Sequence, residues 1–259
     1  MNSTSPQVLI VARPSVDWAA IHTYLEAVGG TPWVARTRPL GGPPSETLVE
    51  FAGRICYRSW VAGLNPNVSS VRTDRERYFD NILASGHGSI LEHANFSFVF
   101  RDVSRVFTHE LVRHRAGVAI SQESLRYVRL TNIGFRIPEV LEDMRAEIVS
   151  MVETLEDLQL KAAARYDLDS KSLPFHVKKE ITSALRRLAP LGLSTDILWS
   201  ANLRTLRHVI AMRTALGAEE EMRLVFGKVA MLMKEECPLL FGDIVVDADG
   251  QWVPRYPKV

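Results

Sequence analysis

Phe96, Phe98 and Phe100 fall on every second residue of one segment. That spacing sends all three rings to the same side of an extended chain, so the segment reads as a strand with one buried face. Such a strand needs an apolar layer to cover it, and the surrounding sequence supplies helices. Ser15 reads as the cap of a helix that runs to Val28 and ends at Gly29-Gly30. Ser45 begins a second, with Leu48, Val49, Ala52, Ile55 and Cys56 along one face. A third starts near Asp74, carries Tyr78, Phe79, Ile82 and Leu83, and stops at Ser85-Gly86. Ser104 opens a further helix, and Ile148, Met151, Val152, Leu155 and Leu158 mark a long amphipathic one. Pro174 to Leu188, Asn202 to Arg213 and Ala218 to Lys234 read as three more. Val8 to Val11 and Ile197 to Trp199 read as short strands, and the Pro- and Gly-rich stretch from Arg38 to Pro44 as a loop. Nothing in the sequence reads as a repeat, a low-complexity tract or a linker. The simplest reading is therefore one α+β domain over residues 1–259.

The chain carries 31 basic and 30 acidic side chains, a net charge of +1. That balance argues against non-specific nucleic-acid binding through bulk charge. No apolar run approaches the roughly 18 to 20 residues of a membrane span, and Met1 to Gln7 lacks the pattern of a secretory leader, so a cytoplasmic protein is expected. The two cysteines, Cys56 and Cys237, form no CxxC pair, which fits a reducing compartment. Cys56 is placed on the apolar face of its helix, where burial would keep it an inert thiol. Cys237, after two glutamates and before Pro238, is in surroundings that disfavour a thiolate.

Chemistry is concentrated between residues 113 and 129. Arg113, Arg115, Arg126 and Arg129 stand there with His114, Ser121 and Ser124. Guanidinium forks give bidentate, permanently charged hydrogen bonds to phosphate, and a serine adds a neutral donor. If the helix opened by Ser104 runs on to Gly117, Arg113 and Arg115 point about 200° apart and serve two ligands or two subunits. Upstream, Ser89 followed by Glu92 has the spacing of a capping box.

Several familiar motifs fail. His109-Glu110 followed by His114 resembles a zinc-protease helix, but the histidines are five apart where one face requires four, so no metal site is expected. Gly86-His87-Gly88 lacks the third glycine of a dinucleotide fingerprint. No phosphate-loop motif occurs, and Ser124 lies in no GxSxG elbow.

Arg113-His114-Arg115 followed by Ser124-Leu125-Arg126-Tyr127 resembles the signature of the flavin-dependent thymidylate synthases. His87 to His93 upstream, and Asn202 to Leu206 and Lys234 to Pro238 downstream, agree with that family in order. The resemblance implies a homotetramer whose subunits have a central, mostly antiparallel sheet flanked by helices, with sites at subunit interfaces. It implies FAD as cofactor, with NADPH and methylenetetrahydrofolate as co-substrates in the C5 methylation of a uracil nucleotide. His87, Ser89, Glu92, Arg113, His114, Arg115, Asn202, Arg204 and His208 would hold or flank FAD. Glu110, Gln122, Glu123, Ser124, Arg126, Arg186 and Arg213 would line the nucleotide pocket. Among both sets Ser124, Arg213 and His87 would be the catalytic residues.

The chain departs from the family pattern in three places. Ala116 to Glu123 makes eight residues before the serine where seven are usual, so residues 116–120 have no fixed counterparts. Glu110 stands where a glutamine is frequent, and Thr214 to Glu221 lacks a histidine that many members carry. The runner-up within the enzyme class is a methylase of UMP. From another class, a relative that binds a nucleotide or RNA without turnover would be colourless and show salt-dependent affinity for polynucleotide.

Overall fold

The computed structural model describes residues 2–127 and 134–259; Arg129, one of the clustered arginines, lies outside them. The strands are β1 (Asn2–Ser3), β2 (Gln7–Ala12), β3 (Asn95–Ser104), β4 (Val118–Gln122), β5 (Gly134–Phe135), β6 (Ser194–Asn202), β7 (Ile244–Val246) and β8 (Trp252–Pro254). The helices are α1 (Trp18–Val28), α2 (Thr31–Thr37), α3 (Pro44–Tyr57), α4 (Arg75–Ala84), α5 (Arg105–Leu111), α6 (Arg145–Arg165), α7 (Phe175–Leu185), α8 (Leu203–Arg213), α9 (Glu220–Glu236) and α10 (Pro238–Phe241). Four strands form an antiparallel sheet in the order β2-β3-β6-β4, which gives the α+β architecture. β1 pairs with β5 in parallel and β7 with β8 antiparallel.

The phenylalanine alternation does what its spacing requires. Phe96, Phe98 and Phe100 are all buried, and opposite them in register stand Ala201, Trp199 and Ile197 of β6. Phe107 of α5 and Phe226 of α9 close over Phe100 with edge-on rings, so α4, α5, α8, α9 and α10 share this core with the sheet. At the far end of β3 the register shifts between Phe100 and Val103, where Asp102 takes a left-handed conformation with φ 57°. The turn into α5 follows. Ser104 caps that helix, its Oγ accepting from the Phe107 N–H at 3.1 Å, while buried Glu221 accepts from both the N–H and the hydroxyl of Ser104.

Several sequence expectations are corrected. Asp17, not Ser15, caps α1, accepting from the N–H groups of Ala19 and Ala20 at 2.9 and 3.0 Å. The expected loop from Arg38 contains a turn of 3-10 helix, Arg38–Leu40, and Pro44 already belongs to α3. The buried face of α3 is not the one with Ile55 and Cys56, both of which are exposed. It carries Glu46, Val49, Glu50, Gly53 and Arg54, because Glu50 collects hydrogen bonds from Trp33, Arg54 and Arg75 at 2.8 to 2.9 Å. A buried carboxylate satisfied three ways can take the inward face from an isoleucine. Ser89 and Glu92 make no capping box. They sit in a 3-10 turn, Gly88–His93, with no side-chain cap, and Glu92 pairs elsewhere. The long amphipathic helix exists as α6, yet only Val152 and Gln159 on it are buried, and Met151 and Leu158 remain exposed.

Candidate active site

The helix opened by Ser104 ends at Leu111, six residues before Gly117. The reason is local: the Val112 N–H still bonds back to Thr108 O, but His114 N–H closes only a short turn on Leu111 O. Arg113, His114 and Arg115 therefore leave the helix on a turn, and the expected divergence of the two arginines does not apply. Both line one cavity of about 630 Å³. Gly117, at φ 68°, turns the chain into β4, and its carbonyl accepts from the Asn202 N–H at 3.2 Å.

The opposite wall is α8. Asn202 caps it, accepting from the Thr205 N–H at 2.8 Å. Arg204, His208 and Met212 recur four residues apart on the helix and, with Thr205, Val209 and Arg213, face the cavity. Arg207, on the other side of the helix, is buried in an ion pair with Asp243 at 2.6 Å and belongs to the core. Thr205, Met212 and Gly117 escaped the sequence reading. Helical periodicity from Arg204 and His208 reaches the first two; the glycine had no local signal.

Glu92 joins this wall through Arg204, whose Nη1 donates to its carboxylate at 2.6 Å. At the inner end Arg213 holds three partners. Its Nε donates to His114 Nε2 at 2.6 Å, Nη1 to Glu110 Oε2 at 2.7 Å and Nη2 to Glu110 O at 3.3 Å. Burial, together with the charges of Arg213 and His208, pushes the His114 pKa down to about 4 against a smaller upward pull from Glu110.

The remaining expected residues lie apart from this cavity. His87 and Ser89 line a neighbouring one of about 430 Å³ that shares Arg204, and the Tyr57 ring stacks on His87 with centroids 6.3 Å apart. Gln122 donates to Thr108 Oγ1 at 3.1 Å, and Glu123 lines a third cavity with Asp102 and Asp196. Ser124 accepts from the Arg126 N–H at 3.3 Å. Thr182 Oγ1 donates to Arg126 O at 3.0 Å, which fastens that turn to α7, and Arg186 follows at the end of α7. Thr182 thus ties the Arg126 turn to α7 one helical turn before Arg186, and none of Ser124, Arg126 and Arg186 lines the cavity that holds Arg213.

Comparison with known proteins gives this arrangement a context. Residues 41–239 match the family described as thymidylate synthase complementing protein. A flavin-dependent thymidylate synthase of Mycobacteroides abscessus is 33% identical, with 96% of this chain and 92% of that protein covered. One from Mycobacterium marinum is 35% identical over 82% of this chain and 85% of its own length. This chain belongs to the flavin-dependent thymidylate synthase family. Two solved structures share the fold. Thymidylate synthase X of Helicobacter pylori, solved with FAD and dUMP, superposes with a TM-score of 0.57 at 19% identity, covering 92% of this chain and 98% of that one. The UMP/dUMP methylase PolB of Streptomyces cacaoi, bound with 5-Br UMP, gives 0.61 at 16%, covering 93% and 95%.

The residues of the large cavity suit the flavin of this family. Arg113, Arg115 and Arg204 offer a concentration of guanidinium donors to a pyrophosphate, and Asn202, Thr205 and His208 add polar side chains. Two glycines keep the walls close. A Cβ on Gly88 would lie 2.7 Å from Arg204 Nε, and one on Gly117 would collide with Asn202 Nδ2. Cavities of this size are usual for cofactors and small ligands.

Proposed function

We propose that this chain, folding as one domain over residues 1–259, converts dUMP to dTMP by reductive C5 methylation. FAD is the bound cofactor, methylenetetrahydrofolate the carbon donor and NADPH the reductant. The observation that carries this reading is the single cavity in which Arg113, His114 and Arg115 meet Asn202, Arg204, His208 and Arg213. When bound, the flavin supplies the redox chemistry that the transfer of a methylene carbon as a methyl group requires.

The chain's own residues do the rest. Arg113, Arg115 and Arg204 grip the dinucleotide phosphates, with Asn202 and His208 beside them and His87, Ser89 and Glu92 at the flank. Arg213, already anchored on Glu110 and His114, keeps N–H groups free to polarise a uracil carbonyl, which makes C6 more electrophilic. Ser124, Arg126 and Arg186 bind the nucleotide phosphate, and Gln122 and Glu123 border that surface; the remote binding energy positions the ring. Because Ser124, Arg126 and Arg186 do not line the cavity that holds Arg213 in one chain, the complete site combines two subunits of a homotetramer.

The experiment is a turnover assay of the yellow, flavin-loaded protein on dUMP and UMP with NADPH and methylenetetrahydrofolate. Formation of dTMP at a rate well above UMP methylation is expected, since a pocket that senses the 2′-hydroxyl discriminates by a large factor. A colourless protein that methylates neither nucleotide overturns the reading. Mixing inactive Arg126→Ala and Arg113→Ala proteins tests the shared site, because mixed tetramers should regain part of the activity.

A further inference from the structure

Arg213 and His114 constrain each other more tightly than a contact between two cationic side chains normally allows. An arginine has five N–H donors, no acceptor, and a pKa too high to lose its proton. Its Nε–H points at Nε2 of His114 across 2.6 Å. The histidine nitrogen must therefore present a lone pair. A neutral imidazole has one proton to place, and with Nε2 unprotonated that proton sits on Nδ1. Imidazolium is excluded by the same geometry, because it would set N–H against N–H.

What fixes the guanidinium in that attitude is residue 110. Nη1 donates to the Glu110 carboxylate at 2.7 Å and Nη2 to the Glu110 carbonyl at 3.3 Å, so one residue holds two of the three nitrogens and aims the third. The three residues come from different parts of the fold: Glu110 from the last turn of α5, His114 from the turn after it, and Arg213 from the end of α8. Arg213 is mostly buried, with 14% of its side chain exposed, so its direction is set by these bonds more than by solvent.

We propose that Glu110 is a positioning residue which, through Arg213, holds His114 as the neutral Nδ1–H tautomer and so makes it a hydrogen-bond donor to the occupant of the cavity. His114 lines that cavity, and among the described residues Nδ1 has no protein acceptor. The charges of Arg213 and His208 oppose a second proton on the imidazole, and that of Glu110 favours one to a smaller extent. A His114 pKa of about 4 agrees with a ring that stays neutral across the physiological range. A neutral donor suits a carbonyl oxygen or an anionic ring nitrogen, such as the pyrimidine end of a flavin presents, and takes no proton from solvent as pH falls from 8 to 6. A glutamine at position 110 can also accept from Nη1, but it leaves the charge of Arg213 uncompensated. The ligand assignment rests on the reading of the cavity as the flavin site; the tautomer does not.

The test is 15N magic-angle-spinning NMR of the full chain labelled at histidine, recorded with flavin retained and after its removal, with His114→Gln to assign the signals. The expected result is a protonated Nδ1 and an unprotonated Nε2 on His114 between pH 6 and pH 8. An Nε2–H tautomer, or an imidazolium in that range, overturns the proposal outright. Glu110→Ala should make Nε2–H the major form, as should Arg213→Lys, which lacks the Nε donor, whereas Glu110→Gln should keep Nδ1–H. The Glu110 side chain is 39% exposed, so its truncation should be tolerated, and Glu110→Met serves if the alanine variant fails to fold. A folded Glu110→Ala or Glu110→Met protein that keeps Nδ1–H removes Glu110 from the argument. A protein that never holds flavin but shows the Nδ1–H form refutes the cofactor reading and leaves the tautomer standing.

Discussion

Arg204 of α8 donates through Nη1 to the Glu92 carboxylate at 2.6 Å, joining residues 112 positions apart in the chain. Both side chains are nearly half exposed, at 46% and 48%. Pairs with that exposure contribute only about 0 to 1 kcal/mol. The contact therefore places a guanidinium at the mouth of the cavity and adds little to stability.

From this pair, Arg204→Ala should deplete bound flavin by tenfold or more while shifting the unfolding midpoint little, since about 1.5 to 3 kcal/mol rides on a charged hydrogen bond to phosphate. Glu92→Gln should change flavin affinity by less than about tenfold, the limit of an exposed pair. Flavin absorbance after gel filtration measures both. Equal flavin loss in the two variants would make the ion pair itself the binding element.

Gly117 combines a φ of 68° with a Cβ position already taken by Asn202 and Thr205. Gly117→Ala should cost more than about 1 kcal/mol in stability, because both the backbone and the wall of the cavity must shift. Urea unfolding and flavin content should fall together. A stable, fully loaded variant would show that the turn can relax.

Glu46 is buried, accepts from the Leu239 N–H at 2.7 Å, and has its pKa pushed up to about 7 by burial. The folded value lies above the unfolded one, so the folded state binds the extra proton between about 4.5 and 7. The stability this gives is present at low pH and is lost as pH rises through 7. Glu46→Gln keeps an acceptor without the charge. It should be nearly neutral at pH 5 and stabilising by roughly 1 to 3 kcal/mol at pH 8. Urea midpoints of the two proteins that stay parallel from pH 5 to pH 8 would contradict this.

Cys237 is fully buried, with its thiol pushed up to about 12 mainly by burial and with Ser45 Oγ at 3.1 Å. Cys56 is exposed, contrary to expectation, yet it lines the cavity beside His87 and not the one with Arg213. If neither thiol attacks the uracil ring, Cys56→Ser with Cys237→Ser should retain methylation activity, losing about 1 to 3 kcal/mol of stability at the buried position. Assay of dTMP formation decides it. A folded, flavin-loaded double variant without activity would require a protein nucleophile.

The sequence by itself determined some of what is periodic or capped, though not the cap of α1 or the buried faces of α3 and α6. The phenylalanines of β3, the buried face of α4 and the start of α5 at Ser104 depend on neighbours within a few residues, and local geometry settles them. The ordered motifs also marked the family, because their chemistry is written in residue identity. Tertiary structure decided where helices stop and which way they face. α5 ends before Arg113, which turns two arginines onto one cavity, and Glu50 draws the polar side of α3 inward at the expense of Ile55 and Cys56. The bond between Arg213 and His114 spans 99 positions. Hydrophobic periodicity carries no information at that range; the outcome depends on which buried charges find partners once distant segments meet.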